Sequence, residues 1–132
     1  IVSDVLKHNA LEEKVKLISY LATTAYGLMP SASLKIEVDG RCHEAHATGD
    51  GQYDAFMRGV RDIYKNTLGR PFPILTGYYV TIPPGGRTDA FVQAVITWSF
   101  NGKTFRTRGL DADQTCAAIK ATIKMLNMLE EM

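Results

Sequence analysis

Two stretches decide the fold: SLKIEVDGRCHEAHATGDGQYD at residues 33–54 and AFVQAVITWSFNGKTFRTRGLDADQ at residues 90–114. In the first, Leu34, Ile36 and Val38 alternate with Lys35 and Glu37, the period of a half-buried strand. Asp39-Gly40 supplies the residue types of a tight hairpin turn, and the chain returns from Arg41 to Thr48. In the second, Val92, Ala94, Ile96, Trp98 and Phe100 share one face, with Gln93, Thr97 and Ser99 on the other. Asn101-Gly102 makes the turn and Thr104 to Arg108 the return. Each stretch then runs through a glycine and an acidic residue into a helical pattern. The turns lie sixty-two residues apart and the glycines, Gly49 and Gly109, sixty. On this matching one hairpin is two residues shorter than the other.

Working outward, the first helix spans about 52–65, with Tyr53, Phe56, Val60, Ile63 and Tyr64 on its apolar face and Arg58, Arg61, Asp62 and Lys65 opposite. The last helix buries Cys116, Ile119, Ile123 and Leu126 and keeps Lys120 and Lys124 wet; Asp111 with Gln114 is its capping-box candidate. Residues 68–76, with Pro71 and Pro73, read as loop, and Tyr78 to Ile82 as a strand stopped by Pro83-Pro84-Gly85-Gly86. The expectation is an α+β fold of two βββα units related by a pseudo-two-fold axis, with helices packed on antiparallel sheet. Ahead of it, Leu11, Val15, Ile18, Ala22 and Ala25 recur at spacings of three and four. With Asn9 and Glu12 at the start and Gly27 and Pro30 at the end, residues 1–30 read as a helical linker and residues 31–132 as the domain.

One hundred and thirty-two residues suffice for one core and are too few for a (β/α)₈ barrel of about 250 residues. Fifteen basic against fourteen acidic residues leave a net charge of +1, which gives no electrostatic footprint for nucleic acid. No apolar run reaches the roughly 18–20 residues of a membrane span. Cys42 and Cys116 form neither a zinc pattern nor a disulfide framework, which suits a reducing compartment. Opening on Ile1 without a leader, the sequence reads as a piece of a longer protein. His43-Glu44-Ala45-His46 echoes a metal motif, but a strand sends residues three apart to opposite faces. Trp98 and Phe100 read as core or subunit interface, and Arg106 and Arg108 lack the aromatic ladder of a single-strand reader.

What the duplication places together is chemistry of one kind. A helix start presents unbonded N–H groups and the positive end of the dipole, and glycine lets a ligand approach them. Asp50, Asp54, Asp111 and Asp113 sit at the same ends. Amide donors, acidic acceptors and an apolar wall suit a zwitterionic apolar amino acid. The same aspartates equally serve as plain helix caps.

Residues 31–132 resemble the C-terminal regulatory domain of the 2-isopropylmalate synthase and citramalate synthase family. The resemblance is carried by ATGDGQYDAFMRGVRDIY, LTGYYVTI, DAFVQAVITWSFNGKTFRTRG and DADQTCAAIKATIKMLNML. It implies a dimer of double βββα domains that binds an end product, leucine or isoleucine, and lowers the activity of a distant barrel. That barrel condenses acetyl-CoA with a 2-oxo acid, uses a divalent metal and works in the cytoplasm; no cofactor is implied for the domain itself. Carried over by motif, the effector residues are Asp50, Gly51, Tyr53 and Asp54 at the first helix start, Leu75, Tyr78, Ile82 and Val92 as apolar wall, and Ala112 and Gln114 at the second start. No catalytic or metal-ligating residue is implied in the domain. The rival readings are a dimerisation module without an effector and, last, a free-standing enzyme, for which the sequence offers no nucleophile–base pair.

Overall fold

The computed structural model describes residues 14–24, 26–82 and 91–131. Strands β1 (Val15–Thr23), β2 (Ser31–Val38) and β3 (Arg41–Thr48) form one antiparallel sheet in that order. Strands β4 (Ile74–Thr81), β5 (Val92–Phe100) and β6 (Lys103–Asp111) form a second. Helix α1 (Gln52–Asp62), extended by a π turn over Ile63–Thr67, follows the first sheet, and α2 (Gln114–Glu131) follows the second. This is the expected α+β arrangement of two βββα units.

Both hairpins turn where the sequence indicates. Asp39 and Gly40 have φ of 53° and 82°, and Asn101 and Gly102 of 52° and 79°, so both central residues take the left-handed region that a two-residue hairpin needs. The duplication is more exact than the glycines imply. Val38 pairs with Arg41 and Phe100 with Lys103, while Ala55 N–H donates to the Gly51 carbonyl and Ala117 N–H to that of Asp113. The shift of sixty-two residues therefore runs unbroken from turn to helix, and the hairpins match in length. Gly49 and Gly109 are not equivalents: Gly49 follows β3, whereas Gly109 lies within β6 opposite Ala94.

The expected linker helix is corrected over its described part, since Val15–Thr23 is β1, antiparallel to β2. Asn9, Leu11, Glu12 and Ala25 lie outside the described residues, as do Pro83–Gly86. The cause of the misreading is a β-bulge between Leu17 and Ser19. It shifts the parity of the alternation, so that Val15 and Ala22, seven residues apart, both face inward as they would on one face of a helix. Ile18, counted on the buried helix face, is 49% exposed. A second bulge, between Leu75 and Gly77, sits at the same place in β4. The repeat thus extends to an irregularity that no turn residue announces.

The sheets wrap two helices. α1 packs on β2 and β3, α2 on β5 and β6, and each helix also meets the first strand of the other unit: Tyr53 of α1 lies 5.4 Å from Tyr78 of β4, and Asn127 of α2 bonds Val15 of β1. Phe56, Ile36, Ile63, Ile96, Trp98, Ile119, Met125 and Leu126 fill the common core. Trp98 belongs to that core, and its indole N–H donates to Thr107 Oγ1 at 2.9 Å, which satisfies both groups. His43 faces the core side of β3 and His46 the outer side, as strand geometry requires.

Close approach of helix and sheet depends on Gly109. A Cβ there would overlap the Ala117 carbonyl and lie 2.7 Å from the Ala121 nitrogen, both backbone atoms of α2 that cannot swing aside. Gly109→Ala therefore costs about 1–3 kcal/mol or more by overpacking, read as a lowered urea midpoint, whereas Gly51→Ala, with open space around it, leaves packing unchanged.

Candidate functional site

The two helix starts lie together. Thr115 Oγ1 in the first turn of α2 is within 3.5 Å of Gln52 Oε1 in the first turn of α1, and further along Thr122 Oγ1 is 3.9 Å from Met57 Sδ. The helices therefore run side by side in the same direction, with their positive ends adjacent. Connections converge on the same end. The β1–β2 loop is tied there by the Gly49 N–H on the Pro30 carbonyl at 3.0 Å. Tyr26, Leu28 and Met29 of that loop are exposed apolar residues, as are Ile82 and Phe91, which follow β4 and precede β5.

The starts differ in how their amides are used. At α2, Asp113 is the cap: its Oδ2 accepts the Cys116 N–H at 2.9 Å, and its own N–H is held by Asp111 Oδ1 at 3.0 Å. The cap thus belongs to Asp113, not to the expected Asp111–Gln114 box. At α1 the cap position is Gly51, extended at φ −153°, with no side chain to bond the first-turn amides. Asp54 reaches back to the Asp50 N–H at 2.9 Å and pairs with Arg58 at 3.0 Å. Its carboxylate is committed to the helix. The Asp50 carboxylate has no hydrogen-bond or ion-pair partner among the described residues.

Of the residues named from sequence, Asp50, Gly51, Tyr53 and Asp54 stand at the start of α1, whose Gln52 reaches Thr115 next to Gln114, with Ala112 exposed just before α2. Val92 pairs with Asp111 and so lies beside the second start, with Ile82 just beyond the end of β4. Tyr78 lies deeper, against Tyr53. Leu75 is not brought to this end: it pairs with Trp98 at the far bulge, seven residues or on the order of 20 Å from Ile82. Tyr53 fills the gap between the helices, stacked 6.5 Å from Phe56 and donating its hydroxyl to Thr122 Oγ1 at 2.5 Å, and burial raises its pKa above the usual phenol value. Sequence reasoning missed Thr115, Thr122 and the Tyr26–Met29 loop, because pairings between units leave no local signal. Among the described residues no group of three or more His, Cys, Asp or Glu is placed to hold a metal, and no helix is long and apolar enough to cross a membrane.

A duplicated two-sheet βββα module with its helix starts paired at one end defines a small accessory domain of repeated architecture. The chain belongs to the LeuA allosteric (dimerisation) domain family, whose model matches residues 1–130. It is 31% identical over 120 residues to a 2-isopropylmalate synthase of Syntrophus aciditrophicus, covering 91% of this chain and 22% of that protein. It is 33% identical over 118 residues to a protein provisionally named (R)-citramalate synthase from Archaeoglobus fulgidus, covering 89% of this chain and 23% of the other. A 2-isopropylmalate synthase of Aquifex aeolicus is 29% identical over 115 residues. The chain thus spans about a quarter of the length of the curated relatives it matches.

The acidic groups here also set a pH response. The Asp113 N–H and then Lys120, whose Nζ is 2.9 Å from the carboxylate, hold Asp111 below the usual carboxylate range. A depressed folded pKa adds stability that is present above the unfolded value near 4 and lost as pH falls through the folded one. Asp111→Asn keeps the acceptor for Asp113 and discards the titration. Urea midpoints measured at pH 7 and pH 3 should fall less between those values in the variant than in the natural protein.

Proposed function

We propose that this chain is the regulatory domain of an enzyme of the 2-isopropylmalate synthase type, and that it binds leucine at the paired helix starts for feedback inhibition. The observation that carries the reading is the uncapped start of α1: first-turn amides with no side-chain partner, beside a second helix start and the uncommitted Asp50 carboxylate. A ligand carboxylate would take the amides at Gly51 and Gln52, where donors and dipole both favour it. Its ammonium would face Asp50. Its side chain would lie toward Ile82, Val92 and the exposed loop residues, which remain apolar and open in a single chain. A second copy completing that wall agrees with the family's description as a dimerisation domain. On this reading the parent condenses acetyl-CoA with a 2-oxo acid on a metal-dependent barrel in the same polypeptide; a relative named 2-isopropylmalate synthase, of which the match covers 22%, supports a longer enzyme around the domain.

Burying a leucine side chain contributes roughly 1.5–3 kcal/mol, and the charge-assisted bonds at its two ends supply the rest. One methyl position separates leucine from isoleucine, so the preference between them is modest, about 1–3 kcal/mol. A second reading, a dimerisation module with no effector, draws on one specific observation. Tyr53 already occupies the inner gap in which a ligand side chain would otherwise sit.

Gly51→Ser separates the two readings. The position is extended and a Cβ there meets nothing within 4 Å, so serine fits and caps the helix with its own hydroxyl. Calorimetric titration should give heat with leucine for the natural protein and at least a tenfold weaker isotherm for the variant, whose melting temperature is equal or higher. Heat with neither leucine nor isoleucine, on a folded dimer, overturns the effector reading in favour of the second.

A further inference from the structure

The other end of α2 holds an arrangement that the proposed site does not use. Asn127, in the last third of the helix, bonds both main-chain polar groups of one residue of β1. Its Oδ1 accepts the Val15 N–H at 2.9 Å and its Nδ2 donates to the Val15 carbonyl at 2.9 Å. A third bond, from Nδ2 to the Ile123 carbonyl at 3.1 Å, holds the amide in place on the helix. Val15 is fully buried, and it is the first residue of the sheet. One residue earlier, the Lys14 carbonyl accepts the Asp39 N–H from the β2–β3 turn at 3.1 Å. Arg70 closes the same corner, reaching both oxygens of Glu130 on α2 at 2.8 and 3.0 Å and Asp39 Oδ2 at 3.0 Å. The first residue of β1 and the β2–β3 turn beside it are thus held to the last turns of α2 by side-chain bonds.

We infer that Asn127 is a positioning residue that couples the effector end of α2 to Val15 at the start of β1, with the helix as the rigid connector. The inference rests on the reading that leucine binds at the helix starts. α2 is an uninterrupted helix of 18 residues, about 27 Å long, with its first turn at the proposed site and its last turns on Val15 and Arg70. A helix transmits displacement along its axis because its backbone hydrogen bonds resist local change. The two-sided bond is suited to receive it. One amide bonded to both the N–H and the C=O of a single residue fixes that residue's position and its rotation, whereas one bond would fix position alone. Any ligand that draws the first turn of α2 toward α1 therefore bears directly on the orientation of Val15 at the start of β1, and by reciprocity that orientation bears on ligand affinity.

The test reads the Val15 amide, whose proton is held by a side chain and not by a neighbouring strand. Residue-resolved hydrogen exchange is followed on the 132-residue chain with and without saturating leucine, together with a calorimetric titration. The expected result is that leucine slows exchange of Val15 at least fivefold beyond the slowing seen in the β5–β6 hairpin, which reports global stabilisation alone. In Asn127→Asp, which keeps the acceptor and loses both donated bonds, leucine still gives heat, and the excess protection of Val15 disappears. Leucine heat with no excess protection of Val15 in the natural protein overturns the coupling and leaves the effector reading standing. Persistence of the excess in Asn127→Asp assigns the coupling away from Asn127 and overturns the inference. No heat in the natural protein removes the effector reading and the coupling together.

Discussion

Two helices lying side by side in the same direction bring like ends of their dipoles together, and the structure at that end follows from this constraint. Parallel neighbours repel at both termini, most strongly where unbonded N–H groups concentrate positive potential. Asp50, Asp54, Asp111 and Asp113 stand at those starts, and three of them are engaged: Asp54 on the Asp50 amide and Arg58, Asp111 on the Asp113 amide and Lys120, Asp113 on the Cys116 amide. Negative charge at the positive ends offsets the repulsion, and direct bonds satisfy part of the amide set. The parallel arrangement is imposed from elsewhere. Each helix returns over its own sheet, and the crossed contacts of Tyr53 with Tyr78 and of Asn127 with Val15 lock the two units face to face.

The features legible in the sequence were those written locally. Asp39-Gly40 and Asn101-Gly102 announce their hairpins because φ above zero at both central positions is a property of the residues themselves. The alternation from Leu34 to Val38 and from Val92 to Trp98 gives β2 and β5 because one side of each strand is buried. β1 carries a helix-like pattern in the sequence because its bulge inserts one residue into the alternation, and the edge of β2 that captures it is a distant partner along the chain. The glycine matching failed for a different reason. Gly109 is required by the approach of α2 and not by a turn, so its likeness to Gly49 is one of residue type, not of position.

The candidate site divides along the same line. The helix start around Asp50, Gly51 and Asp54 is legible, since a helix start is a local event with a recognisable sequence. That Gly51 leaves its helix uncapped while Asp113 caps the other is not, because Asp111, two residues earlier, has Gln114 at the capping-box spacing and Asp113 has only Cys116 there. The nearness of Gln52 to Thr115 joins residues sixty-three positions apart. Leu75 illustrates the converse limit: its side chain is of the right kind, but its distance along β4 puts it beside the far bulge.

Duplication does not make the two halves interchangeable. Where α2 packs closely on its sheet, the room comes from a strand glycine, Gly109, facing Ala117 and Ala121. Where α1 packs on its own sheet, it comes from a helix glycine, Gly59, whose Cβ would lie 2.7 Å from Leu34 Cδ2. Gly59 occupies the position on α1 that Ala121 occupies on α2, sixty-two residues on, so the same close approach has been solved once from each side of the interface. The helix starts show the same divergence, one closed by Asp113 and one left open at Gly51. A two-fold site with two equal seats would need both starts open. With Asp113 already on a first-turn amide of α2, α1 alone keeps a start without a side-chain cap, so the two halves differ at the end where their helices meet.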